Sequence, residues 1–112
     1  MKAGLRHLGL SALAAGEFIN NGIDSIERLR LLSKEDLDRL IKQIHRDNAT
    51  AGGAGIFIPF ISQTYIHAIH FWTNRMYILG EDFDETLIDA DMARAWATVM
   101  RDESDASELK QM

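Results

Sequence analysis

The chain has 112 residues, 12 basic and 17 acidic side chains, a formal net charge of −5, one proline and no cysteine. With 46% hydrophobic residues it can bury one core, which excludes a disordered or low-complexity segment and predicts one small acidic domain. The lack of cysteine excludes disulfides, thiolate nucleophiles and Cys-ligated zinc. Cysteine usage therefore gives no indication of the cellular compartment, and the cytoplasm is only a default location. Because Arg6 and His7 interrupt the first residues, we predict no secretory signal.

Residues 1–47 predict a bundle of short helices. Apolar residues recur at three- and four-residue steps, and Ser11 is a candidate N-cap for the first long element. Asp24 or Ser25 can cap the next helix. Ser33 begins the clearest helix, whose apolar stripe continues to the end of this segment.

A small-residue stretch separates this bundle from the rest of the chain. Residues 48–58, rich in glycine and alanine, are predicted to be a flexible linker. Residues 59–112 then predict an aromatic helix over 60–79 and a C-terminal helix capped by Asp89 or Asp91. No clear strand alternation is present, so we predict an all-α fold of about five helices whose two parts pack as one unit.

The aromatic helix is apolar around most of its circumference. Its predicted core face consists of Ile61, Tyr65, Ala68, Ile69, Trp72, Met76 and Leu79. Further large side chains lie off that face, namely Phe60, Ile66, Phe71, Tyr77 and Ile78. Such a helix has to be covered on two sides.

Motifs for metal or catalytic chemistry are absent from the sequence. His67 and His70 are three residues apart and lack the four-residue spacing and intervening Glu of zinc hydrolases, so no metal site is predicted. The acidic turn from Asp82 lacks the glycine and the final Glu of an EF-hand loop. Without a nucleophile turn or a phosphate loop, we predict no enzyme and no cofactor.

Two other function classes depend on charge. From Asn48 to Asn74 the chain has no Asp, Glu, Lys or Arg, but glycine, proline and histidine interrupt this stretch, so we predict no membrane span. No segment offers a dense basic cluster, so charge does not support nucleic-acid binding. That function is retained as the alternative, with Arg28, Arg30, Lys34, Arg39, Lys42 and Arg46 as its candidate residues.

The concentration of aromatic residues favours protein–protein contact. Exposed aromatic and Met side chains supply interface hot spots when a monomer cannot bury them. The predicted partner-binding residues are Tyr65, Phe71, Trp72, Met76 and Tyr77. We therefore expect a homo-oligomer or a complex with another protein.

Two resemblances point to the same function. Phe18, Ile23-Asp24, Leu29 and Asp36-Leu37 resemble the middle of a sterile alpha motif (SAM) domain, although the Leu-Gly-Ile and Gly-x-Arg that follow in that family are missing. The order of SAM-like segment, small-residue linker and helix with Tyr and Arg is similar to the N-terminal Gag-like region of copia-type retroelement polyproteins. Both resemblances imply self-association or partner binding without catalysis.

Overall fold

The computed structural model describes the backbone of residues 1–50 and 57–111 and the side chains of residues 1–45 and 57–104. The described part holds six α-helices, one 3-10 turn and no strand, which confirms the predicted all-α class. The helices are α1 (Lys2–His7), α2 (Ala12–Asn20), α3 (Ile26–Leu31), α4 (Lys34–Thr50), α5 (Phe60–Ile78) and α6 (Ala90–Gln111), and the 3-10 turn is Glu85–Leu87.

Side-chain caps start four helices at predicted positions. Each cap oxygen accepts a hydrogen bond from the backbone N–H three residues later, at distances of 2.8 to 3.3 Å, and the cap residues are Ser11, Ser25, Ser33 and Asp89. Such bonds satisfy N–H groups that have no partner inside the helix. Gly22, with φ of +93°, follows the end of α2 and takes the left-handed conformation that commonly ends a helix.

The helix α4 is longer than predicted. It continues to Thr50, so the first three residues of the predicted linker are helical, while residues 51–56 lie outside the described residues. Beyond them the backbone N–H of Ile58 donates to Nδ1 of His45 at 3.2 Å, so this nitrogen carries no proton. That bond joins the start of α5 to α4.

One hydrophobic cluster receives side chains from all six helices. Its largest fully buried members include Phe18, Leu37, Ile41, Ile66 and Ile88. The most extensive helix pairing is between α5 and α6. Tyr65 contacts Arg94, and Arg75 further along α5 contacts Glu103 further along α6, so the two helices run in the same direction. None of the described helices has the length and hydropathy needed to cross a membrane.

The buried face of α5 keeps Ala68, Ile69 and Trp72 of the predicted face, but its centre is rotated by about one residue. Ile66, predicted off the core face, is 1% exposed, whereas Ile61, predicted on it, is 55% exposed, and Leu79 is exposed as well. The buried stripe includes two small polar residues, Ser62 and Thr73, which an apolar pattern does not count. Thr73 satisfies its hydroxyl by donating to the carbonyl of His70 at 2.9 Å.

Candidate interaction surface

Trp72, one of the predicted partner-binding residues, lies in the core. Its side chain is 5% exposed. It packs edge-to-face on Phe83, with ring centroids 4.5 Å apart, and stacks nearly parallel to Trp96 at 5.7 Å. Because the loop after α5 and the helix α6 cover it from two sides, Trp72 offers no surface to a partner in the folded monomer.

The other four predicted partner-binding residues differ in exposure. Tyr65, Phe71 and Met76 are half-buried, and the guanidinium of Arg75 lies over the Phe71 ring, 5.0 Å from its centroid. Tyr77 is exposed, although the guanidinium of Arg30 lies 4.1 Å from the centroid of its ring. Of the predicted set, only Tyr77 is largely on the surface.

A group of exposed apolar side chains lies at the start of α5. This N-terminal patch consists of Phe57, Phe60 and Ile61, and Phe60 is 80% exposed. Phe57 also contacts the ring of His45, with centroids 5.2 Å apart. None of the three is among the predicted partner-binding residues, although they lie in the run without Asp, Glu, Lys or Arg, which is the sequence feature that indicates them.

A basic groove adjoins this patch. It has a volume of about 460 Å³ and lies between α5 and α6, with Ile61, Tyr65 and Ala97 among its apolar walls and with Arg94 and Arg101 at its edge. The hydrogen bond to the Tyr65 hydroxyl raises the pKa of Arg94 above its ordinary value. The Arg94 guanidinium is therefore positively charged at every physiological pH.

An acidic groove lies at the opposite end of α5. It has a volume of about 520 Å³, and its charged lining residues are Glu27, Arg30, Glu81, Asp82 and Glu85. Three exposed apolar residues at the end of α5 and just after it, which we call the C-terminal patch, lie beside it: Tyr77, Ile78 and Leu79. Both ends of α5 thus combine apolar side chains with charge, but the charges have opposite sign.

The basic residues of the nucleic-acid alternative are mostly engaged within the chain. Three form ion pairs with nearby carboxylates, namely Arg28 with Asp24 at 3.2 Å, Arg39 with Asp36 at 3.5 Å and Lys42 with Asp38 at 2.7 Å. Arg30 covers Tyr77, Lys34 is exposed, and the side chain of Arg46 lies outside the described residues. These pairs are solvent-exposed and therefore weak, so by themselves they leave the nucleic-acid alternative open.

The two histidines of α5, His67 and His70, contact neighbouring segments through their ring nitrogens. Nε2 of His67 lies 3.3 Å from Oδ1 of Asp38 on α4, and Nε2 of His70 donates to the carbonyl of Leu32 at 2.7 Å. Nδ1 of His67 is buried and has no hydrogen-bond partner among the described residues. Within the described residues, no group of three or more His, Asp or Glu side chains is arranged to hold a metal ion.

The burial of His67 predicts an acid-sensitive fold. Burial lowers the pKa of His67 below its ordinary value of 6.5, so the unfolded chain binds this proton more readily than the folded chain does. We therefore expect the urea midpoint to fall as the pH drops below about 6.5, and His67→Gln to make that fall smaller. An unchanged pH profile in the variant, measured by far-UV circular dichroism, would contradict this assignment.

Comparison with known proteins gave no match: no family model, no curated protein and no solved structure is significantly similar to this chain. The SAM-like and Gag-like resemblances therefore stay predictions.

Proposed function

We propose that this chain is a non-catalytic protein-interaction module that associates with copies of itself. The N-terminal patch carries the proposal, because Phe57, Phe60 and Ile61 expose large apolar side chains within five residues of one another. Contiguous exposed apolar surface on a small domain marks an interaction site. The SAM-like and Gag-like resemblances imply the same role.

The surroundings of the N-terminal patch keep the desolvation free energy of burying it low. No Asp, Glu, Lys or Arg occurs between Asn48 and Asn74, so a contact centred on Phe60 removes no charge of this segment from water. The cores of protein interfaces are likewise depleted of charged residues and enriched in aromatic ones, with polar groups at the rim. Arg94 and Arg101 supply such a rim along the basic groove.

Sedimentation velocity over a wide range of protein concentrations tests the proposal. We expect the protein alone to associate as its concentration rises and to stay associated at high salt, because salt does not weaken apolar burial. Phe60→Ala should weaken this association by about 2 kcal/mol, or roughly thirtyfold, if Phe60 is a central anchor.

Leu13→Ala is the matched control. Leu13 is also an exposed apolar residue, but it lies on α2 and outside the patch, so its removal should leave association unchanged. A wild-type protein that stays monomeric at every concentration would refute the proposal. Complex formation only with a nucleic-acid duplex at low salt would favour the alternative function through Arg28 and its basic neighbours.

A further inference from the structure

We infer that copies of this chain associate head to tail, with the basic groove and N-terminal patch of one copy against the acidic groove and C-terminal patch of the next. This inference rests on the self-association proposed above and specifies which surfaces meet. The occupant of each groove is thus a second copy of the same chain.

Charge complementarity between the two grooves is the first argument. Two guanidinium groups, those of Arg94 and Arg101, line the basic groove, and no carboxylate does. Four carboxylates and one guanidinium line the acidic groove, and that guanidinium already covers Tyr77. Pairing either groove with itself would place like charges together, which opposes a symmetric contact, whereas pairing the two different grooves matches opposite charges.

Most of these charges are only weakly engaged inside the chain; the exception is Glu85, which accepts from the Met1 amino group at 3.0 Å and from the backbone N–H of Ile26 at 3.3 Å. Glu81 and Asp82 are exposed and form no ion pair in the described part of the protein. Arg94 and Arg101 approach carboxylates of their own helix at 3.6 and 3.8 Å, in pairs whose members are all more than half exposed. Exposed pairs of this kind contribute little, so the guanidiniums remain free to bind carboxylates of another copy.

The positions of the grooves decide the kind of assembly. The helix α5 has 19 residues, and at 1.5 Å per residue its two ends lie roughly 28 Å apart. Two antiparallel copies that paired both ends at once would close as a two-fold dimer, whereas a head-to-tail contact leaves one basic and one acidic end free on every pair of copies. Such a heterologous contact continues into a ring or an open chain of copies.

The apolar patches supply the centre of this contact. Phe60 is exposed and precedes Ile61, which lines the basic groove, and Ile78 is exposed and follows Tyr77, which lines the acidic groove. Burying these side chains against each other places apolar contact at the centre and the charged pairs at its edge, as in other protein interfaces. The charges then set orientation and partner choice more than overall affinity.

Charge reversal at one end at a time tests the arrangement. The basic-end variant carries Arg94→Glu and Arg101→Glu, and the acidic-end variant carries Glu81→Lys and Asp82→Lys. At moderate salt we expect each variant alone to associate at least about tenfold more weakly than the wild type, because like charges then meet in the contact. In an equimolar mixture opposite charges face each other again, so association should return.

The outcomes separate this inference from the proposed function. If the acidic-end variant associates like the wild type while Phe60→Ala does not, the contact is symmetric through the N-terminal patch, and only the head-to-tail inference fails. Failure of the mixture to restore association also refutes head-to-tail contact, and so does wild-type association that stops at a closed dimer at every concentration. A monomeric wild type refutes both proposals. Circular dichroism and urea midpoints for each variant check that the reversed charges leave the fold intact.

Discussion

Replacing Trp72 with alanine is expected to lower the free energy of unfolding by about 3–5 kcal/mol. The indole is 5% exposed and lies between the rings of Phe83 and Trp96, so its loss leaves a cavity where the loop after α5 and the helix α6 meet. The neighbouring aromatic side chains can close such a cavity only in part. Urea denaturation followed by tryptophan fluorescence and circular dichroism measures the change.

Tyr77→Ala is the matched control for this substitution. Tyr77 lies on the same helix and is aromatic, but it is 64% exposed and its ring contacts the guanidinium of Arg30. Removing it should cost no more than about 1 kcal/mol, the value of an exposed cation–π contact. If Trp72→Ala instead kept the wild-type stability and weakened association, the indole would be the interface anchor that the aromatic content of the sequence first indicated.

Local features of this fold were predictable from the sequence. Ser11, Ser25 and Ser33 cap helices at the predicted positions, and Asp89 does the same for α6. A cap bond joins residues three apart, so the residue types that form it are visible in a short window of sequence. The helical class follows in the same way, because the apolar period of each segment is a local property.

The side of α5 that the rest of the chain buries was not predictable in this way. Its apolar residues surround the helix, so the apolar period alone selected a core face that matches the buried one only in part. That choice depends on contacts with partners distant in the chain, such as Ile88 and Trp96. Gly9 contributes too, since a Cβ built on it would lie 2.7 Å from Oγ of Ser62, so the turn before α2 packs closely on the small residue at the start of the stripe.

The candidate site was predicted only as a property of the aromatic region. The surplus of aromatic residues indicated an interface, but it singled out Trp72, which the fold buries, and not Phe57, Phe60 or Ile61, which it exposes. Exposure of a side chain depends on what packs against it, and no local pattern reports that. The opposite charges at the two ends of α5 likewise emerge only when α3, the acidic turn and α6 are placed around it.

The second large prediction follows from the rotated buried face of α5 and compares the same substitution at two isoleucines. Ile66→Ala should lower the free energy of unfolding by about 2–5 kcal/mol, because a fully buried isoleucine leaves a cavity in the core. Ile61→Ala, at a half-exposed position, should cost less than about 1 kcal/mol. Urea midpoints measured at protein concentrations low enough to avoid association keep the interface role of Ile61 out of the comparison.

The two variants can be compared directly, because the substitution is the same and only the burial of the replaced isoleucine differs. A larger loss at Ile61 than at Ile66 would restore the face predicted from the apolar pattern. It would also place Ile61 in the core and so remove it from the N-terminal patch. We expect the free energy of unfolding to fall far more for Ile66→Ala than for Ile61→Ala. That result would support the exposed position of Ile61, which the proposed self-association requires. A side chain with little role in monomer stability remains free to contact another copy.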